Sequence, residues 1–166
     1  MRTTAKRLGV RGASAIEFAL LLPALLAILL MCVEFGWQLA VGATLDYGAQ
    51  RAARLGTVGS VVANGATAPD PARRSAIRAA VLNATTGVLQ DSQLGEVTTK
   101  SFAGFAAAGS KGKDGPGTGK EVVQYQLSYV QPFLTGSLAA AMTGRPSITH
   151  TSTVTLANEP FPEASK

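Results

Sequence analysis

The chain has a single cysteine and a single histidine, few aromatic side chains and few charges. One cysteine cannot close an internal disulfide, so the fold is held without a covalent cross-link. With no second cysteine or histidine there is no Cys/His pair for nucleophilic catalysis and no ligand set for zinc, so no metal and no cofactor is expected. Acids are scattered without the paired spacing that general acid–base work needs, and the chain is not expected to be an enzyme. The positive balance is also thin. There are 15 Lys and Arg against 10 Asp and Glu, but four of the positives, Arg2, Lys6, Arg7 and Arg11, fall in the first twelve residues. Without them the count is nearly even, which argues against a nucleic-acid surface.

What the sequence does have is a long uncharged run over residues 18–33, with ten Leu, Ile, Phe or Val. At about −0.3 to −0.6 kcal/mol each, these ten favour membrane insertion by about 3 to 6 kcal/mol. The run covers about 24 Å as a helix, short of a hydrocarbon core about 30 Å thick, so it must recruit residues 13–16 or 35–39. Basic residues before it and no acid in the first twelve place the N-terminus on the cytoplasmic side and export everything after the run. Trp37 suits the outer interface as an anchor. Pro23 removes one helix hydrogen bond and is expected to kink the helix, which membrane helices tolerate. Glu34 closes the run and reads as an interfacial residue, and Cys32 as lipid-facing or packed.

Small residues flank the run on both sides. Val41-Gly42-Ala43 has the form of a signal-peptide cleavage site, which keeps conventional secretion as an alternative. Ahead of the run stands Arg11-Gly12-Ala13-Ser14-Ala15-Ile16-Glu17-Phe18. A basic leader, Gly12, a small residue at Ala13, Glu17 five positions after the glycine and then an apolar helix resemble the class III leader of type IV pilins and pseudopilins. More closely, the segment resembles the opening of the TadE-like minor pseudopilins of Tad/Flp (type IVb) pilus systems. Ala49-Gln50-Arg51-Ala52-Ala53-Arg54 resembles that family's Ala/Arg-rich segment, and Asn158-Glu159-Pro160-Phe161 its usual ending.

The resemblance implies a prepilin leader over 1–12, a helix over 13–56 that spans the membrane in its first part, and an exported pilin-like domain over 57–166. It implies cleavage between Gly12 and Ala13 by a membrane aspartyl prepilin peptidase, with Glu17 and Phe18 as the recognition and assembly positions. Glycine leaves the scissile bond unobstructed and free to lie extended. Glu17, one helical turn from the new amine, would pair with the amine of a neighbouring subunit, and an acid within a membrane segment is a functional position by default. The implied partners are the peptidase, other pilins or pseudopilins, an inner-membrane assembly platform and membrane lipid. The implied location is the bacterial inner membrane, with incorporation into a surface pilus left open. The rival reading is an N-terminally anchored exported binding domain with no role in a filament.

The rest of the chain reads as α+β. Residues 35–56 continue the helix with many small side chains, a surface for the domain's own sheet or a neighbour; Asp46, Arg51 and Arg54 are expected to be solvated. A Gly/Ala/Thr-rich linker over 56–69 leads to a helix that Asp70 caps, Pro71 starts and Gly87 stops, with Ile77, Val81, Ala84 and Val88 on one face. Arg73, Arg74 and Arg78 at its start are expected on a solvated surface, an acidic partner being the alternative. Residues 96–105 are a weak strand, and 106–119 a Gly/Lys-rich hairpin tip or excursion. Gly115-Pro116-Gly117-Thr118-Gly119-Lys120 mimics a phosphate loop, but Asp114 and Glu121 stand where Gly and Ser/Thr are needed, so no nucleotide is expected. Val123, Tyr125, Leu127 and Tyr129 alternate with polar residues in the clearest strand, ended by Pro132. A short helix over 138–142 and a Thr-rich strand over 148–156 follow, with lone His150 as a structural residue on the strand's inner side. Two or three antiparallel strands with helices on one side are expected.

Overall fold

The computed structural model describes residues 9–57 and 70–160, with the side chains of 9–13 and Asp70 excepted. Helix α1 (Gly9–Thr57) is followed by α2 (Asp70–Ala84), β1 (Thr98–Phe102), β2 (Lys113–Asp114), β3 (Val122–Pro132), α3 (Ser137–Thr143) and β4 (Ser147–Ala157). The strands form one antiparallel sheet in the order β2-β1-β3-β4, and the fold is α+β.

Helix α1 has two halves with opposite surroundings. Residues 14–33 are exposed or only half-buried all round, and none of the most apolar window is buried in the molecule. From Glu34 onward, buried positions recur at helical spacing: Glu34, Gln38, Val41, Leu45, Gly48, Ala49, Ala52, Ala53 and Gly56. That stripe packs on the sheet and on α2, and the core takes in Ile77, Val81, Leu89, Leu94, Val97, Val123, Tyr125, Leu127 and Tyr129. The helix is thus a free apolar stem and then a structural part of the domain. The free half is about 30 Å long at 1.5 Å per residue, as long as a hydrocarbon core is thick. Phe35 and Leu39 stay exposed on the face away from the domain.

The small residues of the second half let the elements approach. A Cβ at Gly48 would come within 2.9 Å of Thr85 Cγ2, and one at Gly56 within 2.3 Å of Tyr125 Oη. Of the two surfaces open to these residues, the domain's own sheet and α2 occupy Gly48, Ala49, Ala52, Ala53 and Gly56.

Helix α2 ends where Thr86 and Gly87 turn to positive φ, as the stop signal requires. Its inward face is Arg73, Ile77, Val81 and Thr85, so Ile77 and Val81 are core as expected, while Ala84 is half-buried and Val88 exposed. The linker from residue 58 to 69 and the Asp70 cap lie outside what is described. β3 alternates as its sequence requires, with Val123, Tyr125, Leu127 and Tyr129 buried. β4 turns Thr149, Thr151 and Thr153 outward.

The Gly/Lys-rich segment is a hairpin whose Lys113–Asp114 pairs with Lys100 and Ser101, adding a fourth strand where two or three were expected. Lys113 and Asp114 are both exposed, so no hydrophobic alternation betrayed them.

The sheet's direction fixes the molecule's two ends. β3 starts beside the distal end of α1, where Tyr125 meets Gly56. It runs back so that Thr135, just beyond it, reaches Glu34. β4 returns, and Glu159 N–H donates to Thr57 O at 3.0 Å. The β3–α3–β4 connection therefore lies at the stem end, and the β1–β3 hairpin at the far end.

Candidate functional site

Among the described residues, functional groups gather on the free stem, at its junction with the domain and at the domain's far end. On the stem, Gly12 and Ala13 fall within the first turns of α1. Glu17 and Phe18 are exposed beside them. A residue at 13 and one at 17 share a helix face one turn apart. α1 continues as one helix through Pro23. Ile16, Phe18, Leu20, Leu21, Leu25, Leu26, Ile28, Leu29, Leu30 and Val33 leave the stem apolar on every side, a surface that water disfavours and lipid or another helix satisfies.

At the junction a buried polar chain joins three elements. Glu34 is only 3% exposed. Its Oε2 accepts from Thr135 N–H at 2.8 Å and from Thr135 Oγ1 at 2.9 Å. Gln38 Nε2 donates to Glu34 Oε1 at 2.9 Å, and Gln38 Oε1 lies 2.9 Å from His150 Nε2. With Gln38 Nε2 donating to the carboxylate, its carbonyl oxygen is the acceptor of a hydrogen bond from His150 Nε2–H. Burial lowers the His150 imidazole below the ordinary histidine value, and the charge of Asp46 acts in the opposite direction. The ring passes over Gly42, where a Cβ would sit 3.3 Å from Nδ1.

Glu34 is therefore a buried hydrogen-bond acceptor tying stem to domain, a role its reading as an interfacial residue did not include. The sequence carries one signal of this: Glu34, Gln38 and Gly42 step by four along one helix face. Nothing local announces Thr135, which lies 101 positions away. His150, expected to be structural, bonds Gln38 and packs over Gly42. Trp37 is half-buried against the domain core, with its Nε1 enclosed and no hydrogen-bond partner described for it, so its ring serves packing as much as the interface.

The far end has its own polar cluster. Arg73, expected on a solvated surface, is fully buried, and its Nη1 donates to Pro116 O at 3.4 Å. It stands four residues before Ile77, on the core-facing stripe, which is why it goes inward. Arg74 and Arg78 do find acids, Glu96 at 3.4 Å and Asp91 at 2.7 Å. Buried Asn158 donates from Nδ2 to Pro116 O at 2.9 Å and Thr118 O at 3.0 Å. Thus the first residue of the C-terminal motif fastens the Gly-rich hairpin; Phe161 of that motif lies outside the described residues. In the same hairpin Thr118 N–H donates to Glu121 Oε2 at 2.8 Å. A carboxylate holds the amide that a phosphate loop would offer. Among the described residues no group of three or more His, Cys, Asp or Glu gathers as a metal site.

These features define an α+β domain carried on a free apolar helix, the one helix among the described residues long and apolar enough to cross a membrane. Residues 12–54 match the model of a family described as TadE-like protein. Over that segment, from Gly12 to the end of the Ala/Arg-rich stretch, the chain is similar to that family. Comparison with curated proteins and with solved structures gives no match.

Proposed function

We propose that this chain is a minor pseudopilin, a structural subunit that takes part in assembling a Tad/Flp-type pilus. The leader 1–12 stays in the cytoplasm until a prepilin peptidase cuts between Gly12 and Ala13. The stem then holds the subunit in the inner membrane with the domain on the outer side. Glu17 presents a carboxylate one turn from the new amine, ready to pair with the amine of an adjacent pilin or pseudopilin as stems pack together at the assembly platform.

One observation carries this reading: the family match opens at Gly12, directly before the proposed mature start, and the helix behind it stands free of its own domain. A core helix would bury such a surface. The test is intact mass or N-terminal sequencing of the protein from native membranes, with and without the prepilin peptidase. A peptidase-dependent start at Ala13 is expected. A chain that keeps its leader would make it a tethered domain, and a start near Thr44 would mean ordinary secretion.

A further inference from the structure

We infer that the β3–α3–β4 connection, residues 132–146, is a foot that rests in the headgroup layer of the leaflet on the domain's side. The inference uses the membrane-spanning stem of the proposed function and adds a second, separate lipid contact.

Level comes first. If residues 14–33 cross the hydrocarbon, Glu34 stands at its edge, and the two bonds from Thr135 to Glu34 bring the connection to the same height. The polar layer adds only about 5–8 Å on each side, so side chains next to Thr135 lie within it. Leu134, adjacent to Thr135, is 55% exposed, and Met142 on α3 is 62% exposed. Around them Ala141, Pro132 and Pro146 are also exposed.

Charge agrees with level. Residues 132–146 contain no acid and one cation, Arg145, which is exposed and suited to anionic headgroups. The far end of the sheet instead carries exposed Lys111, Lys113 and Asp114. The backbone of the foot is also internally bonded, as a segment near lipid requires. Phe133 N–H donates to Pro146 O across its neck, Leu138 N–H to Thr135 O, Ala140 N–H to Gly136 O and Gly144 N–H to Ala140 O. Apolar side chains outside a closed backbone, one cation and a position level with the end of the span together fit a lipid surface.

The test uses the full chain in lipid nanodiscs of phosphatidylethanolamine and phosphatidylglycerol, one copy per disc, with Cys32→Ala as background. An environment-sensitive fluorophore is placed at Met142→Cys, at Leu134→Cys and, as the far-end control, at Lys113→Cys. Expected are a blue shift and loss of emission at positions 134 and 142 with lipid bearing a nitroxide near its headgroup, and little loss with iodide. The label at 113 should behave in the reverse way. Iodide-quenched, unshifted labels at both 134 and 142 would overturn the foot, as would protection arising only when several copies share a disc, which would make a second copy the occupant. A label at Leu25→Cys in the Cys32→Ala background, near the middle of residues 14–33 and exposed, separates the two levels of claim: if it is quenched by deep nitroxides, the stem is inserted whatever the foot does, and if it is not, the membrane reading itself fails.

Discussion

Single residues decide how closely α1 can lie on its domain. Gly56 faces the fully buried ring of Tyr125, and an added Cβ would lie 2.3 Å from its Oη and 2.6 Å from its Cζ. Neither the ring nor the helix can yield without opening the core, so Gly56→Ala should destabilise the domain by about 1–3 kcal/mol. Gly36, on the same helix, has nothing within 4 Å of its added Cβ. Gly36→Ala should leave stability unchanged or raise it by up to about 1 kcal/mol through helix propensity. Thermal unfolding of the detergent-solubilised chain compares the two directly, and equal effects would mean that the close approach at Gly56 is not tight. Glu34 is a different kind of position. Replacing it by Ala would strand the buried partners Gln38 Nε2 and Thr135 N–H, at about 1–3 kcal/mol. Increased proteolysis between stem and domain in Glu34→Ala would report that loosening, and an unchanged digestion pattern would count against it.

At the level of elements, the sequence announced those whose information is local. α2 carries its own stop, β3 its alternation and Pro132, and α3 its closing Gly144, whose left-handed conformation caps it. The stem was equally legible, because ten large apolar residues without charge admit few surroundings. What stayed hidden depends on distant partners. β2 is two exposed residues held by register with β1, and the Glu34 acceptor is defined by Thr135, far along the chain. Arg73 was misread because charge was weighed above its place on the Ile77–Val81 stripe. The junction also has a titratable joint. His150 is held below its ordinary pKa, so the unfolded chain binds the proton more readily than the folded one. Stability from this group is complete above the unfolded value of about 6.5 and falls as pH drops toward the folded value. Asp46 opposes the shift, and Glu34 faces the ring only through Gln38. The unfolding midpoint should therefore decline on acidification from about pH 7 downward, and His150→Gln should flatten that part of the profile; an unchanged slope would remove His150 as its cause.

For the whole molecule the question is whether the stem is an anchor or a part, and Glu17 separates the two. An anchor needs only apolar area, and a carboxylate in a membrane helix works against insertion, by up to about 3 kcal/mol toward the bilayer centre and less near its edge. Glu17→Ala should therefore keep the protein in the membrane fraction, more securely if anything, with α1 and its domain unaltered because Glu17 lies far from the core. If the stem is a filament part, the same change removes the charge that meets a neighbour's Ala13 amine where water is scarce, and an ammonium left without that partner disfavours side-by-side packing. The expected result is normal membrane retention and normal processing at Gly12, with loss of co-isolation with other pilus subunits and loss of surface pili. Glu17→Gln, which keeps size and removes charge, should fail in the same way and so exclude a steric cause. A Glu17→Ala strain that assembles pili normally would leave the stem as an anchor and the domain as the working part.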